Sequence, residues 1–484
     1  MTFALPRSGQ KLILSALLLI GLSLCVTLAG GYNSDALYSY SQAKDLLQFR
    51  SLGGWVFSAV PFFVPDVLVA LPFAFMTDQP TFFYLLTAPI QAAILILALS
   101  SGLSRTRGLP ISDTILDLSI SAALSALICS IMFFPTGYFA IQPLLILSAH
   151  GFSAICATLL FWIYRRDDFA ALRERPLASL SAFTILTISD FYFALYFGAI
   201  LFTSLLFSRT KTQLVLVVVC GMLSASIFAV SYFANPSLSD HILASSQSSS
   251  DFSIPGIAVR TLCLMTIPTA CLLLLHQQER LTRDLLVLYM SLLLICTIVG
   301  LGGLLKDKYS FRYLSISYPV TIIFIFEALT GTPSKHRVKL LAAVAGVIGV
   351  GLLYEILLRK STALAIFEEE IACIQSAKSP AGSSIVAEYW PAKVAFETTR
   401  RNYNLLQVNA GLTERNWINN RRWRHLHQEN ADSRTFILTH LIERQALDKI
   451  RALSYAHSFC NDKVIVVDRP LSQIGEIRFV RGNP

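Results

Sequence analysis

Three aspartates beside long apolar runs are the side chains of this sequence best placed to do chemistry. Asp35, Asp66 and Asp190 each lie at or near the end of such a run. A charge is costly to place beside a membrane-length apolar segment, so such residues are candidates for function. A carboxylate at the mouth of a low-dielectric cavity is expected to have a raised pKa and to act as a general base.

A basic group lies far from these aspartates along the chain. Its members are Lys306, Lys308 and Arg312, with Tyr313 directly after the arginine. Arginine offers forked donors and lysine a point charge, and both bind phosphate. The alternative is that this group binds ordinary anionic lipid headgroups.

Each aspartate also has a purely structural interpretation. Asp35 has Tyr32, Asn33 and Tyr38 nearby, which suit sugar binding, but it or a neighbour could cap a helix over 36–49. Asp66 follows Pro65, and it is either an N-cap or a group close to substrate. Asp190 separates two short apolar runs and is either a turn residue or part of a site.

The elements that must position these side chains are apolar helices. Hydrophobic residues make up 54% of the 484 residues, charged residues only 14%, and the mean hydropathy is +0.59, as is typical of a polytopic membrane protein. A span needs roughly 20 apolar residues, so we predict about eleven transmembrane helices. The predicted runs are 12–31, 83–103, 114–135, 139–163, 178–189, 191–208, 213–232, 257–277, 284–304, 313–330 and 339–358.

The stretch 56–76 is apolar but contains three prolines and Asp66, so we predict a re-entrant or surface segment rather than a straight span. With this choice the short basic loops all lie on the side of the N-terminus, which the positive-inside rule makes cytoplasmic. The three aspartates and the basic group then lie near the outer face. The first apolar run is expected to remain as a helix, although it could instead be a cleaved signal peptide.

The chain therefore divides into two predicted domains. Residues 1–358 form a transmembrane domain that includes a first outer loop, 32–82, and residues 359–484 form a small soluble α/β or α+β domain outside the membrane. Strand-like runs in this domain are Ser384–Val386, Leu405–Val408, Thr435–Leu438 and Val464–Val467, with a helical stretch near Arg444–Ala456.

Cysteines and tryptophans of the soluble domain leave two questions open. Cys373 and Cys460 could pair if the outer compartment is oxidising. The tryptophan-rich segments 387–393 and 416–423 could line a sugar groove or dock the domain onto the membrane part.

Several classes of function are disfavoured. The net charge of +9 comes partly from cytoplasmic-loop lysines and arginines, and no run of basic residues typical of nucleic-acid binding is present. Walker, Rossmann and nucleophile-elbow patterns are missing, so a nucleotide site has no support. Asp240, His241 and Asp251 lack metal-ligand spacing, and His150 is more typical of helix packing than of a site.

Taken together, Asp35-Ala36-Leu37-Tyr38, Pro65-Asp66, Arg312-Tyr313 and the outer soluble domain resemble the GT-C superfamily of polyprenyl-phosphate-sugar-dependent glycosyltransferases. That group includes protein mannosyltransferases and bacterial lipopolysaccharide-modifying transferases. The resemblance implies that Asp35 is the catalytic base of an inverting transfer. From their residue types and predicted place near the outer face, the candidates for binding substrate are Asp66, Asp190, Tyr38, Lys306, Lys308, Arg312 and Tyr313.

The expected partners are a polyprenyl-phosphate-linked sugar donor, membrane lipid, and a glycan, lipid or protein acceptor, with no nucleic acid. No nucleotide or redox cofactor is needed. Many members of the superfamily have two adjacent acids where this chain has Asp35 and Ala36, which leaves a divalent metal open. The expected location is the inner membrane, with a cytoplasmic N-terminus and a periplasmic or extracellular C-terminal domain. The alternatives are a transporter or flippase of an envelope precursor and a non-catalytic envelope assembly protein.

Overall fold

A computed structural model of the chain shows a largely helical protein that ends in a small mixed α/β region. It describes residues 6–30, 35–57, 60–132, 147, 150–166, 174–208, scattered positions between 215 and 230, 254–301, 312–331, 334–358, 367–377, 379–415 and 419–477. Lys306 and Lys308, which were predicted to bind substrate, lie outside these residues. The predicted runs 139–163 and 213–232 are described only in part.

The predicted apolar runs correspond to helices where the structure describes them. The helices before the C-terminal region are α1 (Arg7–Gly30), α2 (Tyr38–Phe49), α3 (Leu68–Met76), α4 (Pro80–Arg107), α5 (Ile111–Met132), α6 (Gly151–Arg166), α7 (Pro176–Ser189), α8 (Tyr192–Ser208), α9 (Ile254–Gln277), α10 (Arg283–Leu301), α11 (Ser317–Thr330) and α12 (Ser334–Leu358). Within the described residues, four stretches are long and apolar enough to cross a membrane. They are Ser8–Leu28, Pro80–Arg107, Ile111–Ile128 and Arg283–Gly300.

The apolar helices pack against one another as a bundle. Helix α1 contacts α4, α5 and α12, while α11 contacts α5 and α9. Helices α4 and α6 approach closely where Gly102 faces Trp162, since a Cβ atom built on Gly102 would lie 2.8 Å from Cβ of Trp162. A larger residue at position 102 would therefore push these two helices apart.

The segment between α2 and α4 contains no straight helix of membrane length. It consists of a short strand, β1 (Trp55–Val56), a π-helical turn over Phe63–Val67, and α3, which has nine residues. The backbone N–H of Phe62 donates to the carbonyl of Ser189 at 2.9 Å, and that of Val64 donates to the Ser189 hydroxyl at 2.8 Å. These bonds attach the segment to the end of α7, next to Asp190.

The C-terminal region is a five-stranded mixed sheet with helices on its faces. Its elements are α13 (Glu368–Ser376), β2 (Ser384–Glu388), α14 (Tyr389–Thr398), β3 (Asn404–Val408), β4 (Asn419–Asn420), a 3₁₀ turn (Arg421–His425), β5 (Thr435–Leu438), α15 (Arg444–Arg451), β6 (Ala456–Phe459) and β7 (Val464–Val467). The strand order is β3-β2-β5-β7-β6, with β2 parallel to β3 and β5, and β7 antiparallel to β5 and β6. Strand β4 instead pairs with β1, far away in sequence.

Alternation along the strands separates two apolar faces of this sheet. Ile385, Leu405 and Phe436 belong to a core that continues into the helical bundle. Their neighbours in sequence form a second core with α15; they are Val386, Leu406 and Ile437. The sheet is thus joined to the helical part through one of its faces.

All four predicted strands of this region are present, with β2 and β3 slightly longer than predicted. The helix predicted near Arg444–Ala456 was too long, because α15 ends at Arg451 and Ala456 begins β6. Pairing of β6 with β7 overrides the local helical pattern there.

The two cysteines of the C-terminal region form a disulfide. Cys373 and Cys460 have Cα atoms 6.2 Å apart and are 87 residues apart in sequence. A cross-link over so long a loop restricts the unfolded chain strongly. We expect Cys373→Ser with Cys460→Ser to lower the free energy of unfolding of this region by about 2–4 kcal/mol, measured as a lower thermal midpoint in detergent. Adding a reductant to the unmodified protein should give the same shift and should leave the double variant unaffected.

Candidate functional site

Helices α2 and α14 lie side by side and run in the same direction. The Ser41 hydroxyl donates to Glu397 at 2.7 Å, and Arg401 Nη1, in the turn just after α14, lies 2.5 Å from Asp45, one turn further along α2. Arg401 also bonds Glu397 through Nη2 at 2.6 Å. The segment that follows α1 and the C-terminal region are therefore held together by polar groups as well as by apolar packing.

Asp45 is the centre of this interface. Its carboxylate is fully buried and accepts hydrogen bonds from Trp55 Nε1 at 2.7 Å, Asn420 Nδ2 at 2.5 Å and Trp423 Nε1 at 3.2 Å. Burial raises the pKa of Asp45, and Arg401 with the hydrogen-bond donors offsets only part of that increase. A carboxylate with this many donors is a structural anchor.

The tryptophan-rich segment 416–423 contributes to docking through its last residue. The Trp423 ring packs edge-on against Trp55 at 5.2 Å between ring centroids and against Phe396 at 4.9 Å. The segment was expected either to line a sugar groove or to dock the domain, and the contacts of Trp423 are those of a docking residue. Trp417 lies outside the described residues.

Asp35 lies between α1 and α2, at the start of the α2–α14 interface. One carboxylate oxygen accepts a hydrogen bond from Arg312 Nη1 and the other accepts one from the Tyr389 hydroxyl. Helix α2 begins at Tyr38 with Leu37 as its N-cap, and no side chain caps it. Asp35 is therefore not a helix cap, and 19% of its side chain remains exposed.

The expectation of a raised pKa for Asp35 was wrong. Burial raises the pKa, but Arg312, the hydrogen bond from Tyr389 and the charge of Lys393 together lower it below the ordinary value. Burial and the nearby carboxylate raise the pKa of Tyr389, so its hydroxyl keeps its proton and donates to Asp35. Asp35 is consequently ionised and well oriented.

Two of these neighbours, Tyr389 and Lys393, come from α14 in the C-terminal region. The Lys393 Nζ lies 5.2 Å from the ring centroid of Tyr38 and 5.1 Å from that of Tyr389. Tyr38 is buried, with 2% of its surface exposed. It therefore lies at the site but offers little surface to a ligand.

A chain of aromatic contacts joins Arg312 to Asp190. Arg312 Nη2 lies 3.3 Å from the hydroxyl of Tyr313, whose ring stacks on Tyr192 at 5.0 Å. The ring of His150 lies 4.3 Å from that of Tyr192, and a 2.8 Å hydrogen bond joins its Nδ1 to Asp190. Asp190 is thus linked to the Asp35 group through the rings of Tyr313, Tyr192 and His150.

Asp190 has the turn role that was one of its two interpretations, while its role in a site stays a prediction. Its carboxylate accepts a hydrogen bond from the backbone N–H of Tyr192 at 3.0 Å, as a turn residue does. It also accepts one from the Ser153 hydroxyl at 2.5 Å and bonds His150. His150 is therefore hydrogen-bonded between packed helices.

Asp66 is buried, with 4% of its surface exposed, within the π-helical turn that is attached to the end of α7. The N-cap of α3 is Val67, so Asp66 is not that cap. Asp66 therefore belongs to the segment that is bonded to Ser189, next to Asp190. Asp35 instead contacts Arg312 and Tyr389.

Sequence reasoning missed Asp45, and it included Tyr389 and Lys393 only as members of the segment 387–393, without linking them to Asp35. Asp45 lies in an amphipathic stretch among other polar residues, so nothing in its local sequence indicated that its carboxylate is buried. Lys393 carried a usable signal, because it is a lysine within the mostly apolar stretch 389–396 of the C-terminal region.

Metal ligands do not cluster in the described part of the chain: no group of three or more His, Cys, Asp or Glu side chains there has the spacing to hold a metal ion. Asp240, His241 and Asp251 lie outside the described residues.

The Asp35 group combines a carboxylate, a guanidinium and aromatic rings. Among the described residues, Arg312 Nε is buried and has no acceptor. Tyr313 and Trp390 are partly exposed. A base, a spare donor for an anion and ring faces for a sugar therefore occur together.

The chain matches no protein-family model and shows no significant similarity to a curated protein.

Proposed function

We propose that this protein is a membrane glycosyltransferase that moves a sugar from a polyprenyl-phosphate donor to an envelope glycan, lipid or protein on the outer face of the membrane. The observation that carries the proposal is the direct pairing of Asp35 with Arg312, residues 277 positions apart. A base and a phosphate-binding cation in contact are the two groups that this reaction requires.

The proposed topology has about eleven spans, a cytoplasmic N-terminus and an outer C-terminal domain in the inner membrane. It is supported by the four long apolar helices of the described residues and by the basic short loops, which all fall on the side of the N-terminus when 56–76 is not counted as a span. An odd number of spans then places the C-terminal domain on the opposite side. The Cys373–Cys460 disulfide supports an oxidising compartment for the C-terminal domain.

In the proposed reaction the acceptor hydroxyl oxygen attacks the anomeric carbon of the sugar. The bond from that carbon to the phosphate oxygen breaks, and the electron pair leaves with the lipid phosphate. Asp35 takes the hydroxyl proton, and Arg312 stabilises the charge on the departing phosphate. The energy lies in the phosphate ester, so no nucleotide is consumed.

The contacts of Asp35 favour one order of binding in this scheme. Each carboxylate oxygen accepts one hydrogen bond, from Arg312 or from Tyr389, and each keeps a further lone pair that can take a proton. Arg312 is the group that a phosphate would attract, and its charge lowers the pKa of Asp35. Donor binding would therefore draw Arg312 towards the phosphate and make Asp35 a stronger base, which favours donor binding before acceptor binding.

The sugar itself is placed by the partly exposed rings. Tyr313 adjoins Arg312, and Trp390 follows Tyr389 with 5.1 Å between ring centroids. Aromatic faces at these positions can stack on a pyranose next to the base.

The general test compares cells with and without the gene for lipopolysaccharide, glycolipid and glycoprotein composition by mass spectrometry. We expect one sugar to be lost from an envelope component and the corresponding polyprenyl-phosphate sugar to accumulate. Identical glycan profiles together with a changed distribution of an envelope precursor across the membrane would instead support a transporter.

Arg312→Met should weaken donor binding by about 10–100-fold, because a charge-assisted hydrogen bond contributes about 1.5–3 kcal/mol. Arg312→Lys should recover part of that loss, since it keeps the charge but not the forked donors. The measurement is the donor KM of purified protein, with Arg469→Met, an exposed arginine of the C-terminal region, as control. Unchanged donor KM in Arg312→Met would remove the phosphate-binding role.

A further inference from the structure

Lys393 is an unusual residue for the inside of a small domain. Its side chain has 0% exposed surface, whereas lysine is almost never fully buried without charge partners. It projects from α14 towards the loop that carries Asp35 and lies against the rings of Tyr38 and Tyr389. The carboxylates whose charges act on it are Asp35 and Glu397.

The charged groups along the α2–α14 interface alternate in sign. From the site outwards they are Arg312, Asp35, Lys393, Glu397, Arg401 and Asp45. With Lys393 protonated the three positive and three negative charges balance, whereas with Lys393 neutral the interface carries one excess negative charge. Lys393 of the C-terminal region is thus a second cation, besides Arg312, whose charge stabilises the ionised carboxylate of Asp35.

We propose that Lys393 is a positioning residue for Asp35: it supplies a buried charge beside the carboxylate and a packing surface that holds the Tyr389 hydroxyl on it. This inference rests on the proposed function for its catalytic meaning. When Arg312 turns towards a donor phosphate, Lys393 and Tyr389 keep Asp35 in place. The active site is then shared between the helical part and the C-terminal region.

The titration of Lys393 supplies a readout that does not depend on sugar transfer. Burial lowers its pKa to about 7, although Asp35 and Glu397 raise it. The rings that face it are those of Tyr38 from α2 and Tyr389 from α14, and Asp35, one of the two carboxylates, is itself paired with Arg312. A lysine in unfolded chain has a pKa of about 10.4, so above pH 7 the folded protein releases a proton that the unfolded chain retains.

The sign of the pH effect follows from this difference. Below pH 7 Lys393 is protonated in both states and the cost of burying its charge is fully present. As the pH rises above 7, that cost disappears from the folded protein, so the contribution of Lys393 to stability increases with pH. Lys393→Met removes the titrating group, and the thermal midpoint should then rise less, or fall more, between pH 7 and 9 than in the unmodified protein.

The experiment is a double-mutant cycle on the full-length protein in detergent. Thermal midpoints are measured for the unmodified protein, Asp35→Asn, Lys393→Met and the double variant, at pH 6 and pH 9. If Lys393 and Asp35 interact, the shift caused by Lys393→Met at pH 6 will differ between the Asp35 and the Asp35→Asn backgrounds. The difference should shrink at pH 9, where Lys393 is uncharged in the folded protein.

Lys449→Met is the matched control, because Lys449 is exposed on α15 and should shift the midpoint equally in both backgrounds. Equal shifts for Lys393→Met in both backgrounds at pH 6 would overturn the proposal. In transfer assays Lys393→Met should lower kcat by about 10²-fold, as misplacement of a reacting group does, with donor KM little changed. Coupling in the cycle without sugar transfer by the unmodified protein would support the role of Lys393 and refute the proposed function.

Discussion

Asp35→Asn is expected to lower sugar transfer from a polyprenyl-phosphate donor by about 10²–10⁴-fold, the usual contribution of a general base. Asparagine keeps the shape of the side chain and can still accept a hydrogen bond from Tyr389 or Arg312, but it cannot take a proton at neutral pH. The loss should therefore appear in kcat. The measurement is transfer of labelled sugar by purified, reconstituted protein, with the thermal midpoint recorded to verify folding.

Asp78→Asn is the control for this variant. Asp78 is also an aspartate of the first outer loop, but it is largely exposed and pairs with Lys44 at the surface. Its replacement should leave transfer unchanged. If Asp35→Asn protein that is folded and inserted transfers sugar at the normal rate, Asp35 is not the base and the proposed function loses its main support.

Asp45→Ala is expected to destabilise the contact between the first outer loop and the C-terminal region by about 3–5 kcal/mol, as breaking a buried ion pair does. Alanine would take from Arg401 one of its two carboxylate partners, leaving Glu397, and would remove the acceptor of Trp55, Asn420 and Trp423. Because this contact also holds Tyr389 and Lys393 at Asp35, transfer should fall together with docking. Limited proteolysis between α12 and β2 is the direct measurement of docking.

The matched control is Asp448→Asn in α15. Asp448 forms an exposed pair with Arg451, three residues away, and such pairs contribute at most about 1 kcal/mol. Its proteolysis rate and transfer activity should equal those of the unmodified protein. Normal docking in Asp45→Ala would mean that apolar contacts such as Trp55 with Trp423 suffice to hold the two parts together.

Local sequence patterns predicted much of the secondary structure. The apolar runs that became α4, α5 and α10, and the strands β5 and β7, were recognisable because burial on both faces or in lipid requires continuous apolar residues. The segment 56–76 was recognisable as irregular because its prolines exclude a straight span. The helix predicted to continue to Ala456 was wrong, since pairing with β7 decides the conformation there.

The candidate site was predictable only in part. Asp35 and Arg312 were both singled out because each places a charge beside an apolar run, and that property is local. Their contact, and the link from Arg312 towards Asp190 through Tyr313 and Tyr192, are products of tertiary structure.

The sequence alone therefore determined which segments are apolar, which become strands and which charges stand beside long helices, because each of these depends on neighbours within a few residues. Tertiary structure alone decided that Tyr389, 354 residues from Asp35, donates to it, and that Lys393 and Arg312 lower its pKa although burial raises it. The sign of a pKa shift is a balance between burial and charges that meet in space. No local pattern contains that balance, because the groups that set it come from opposite ends of the chain.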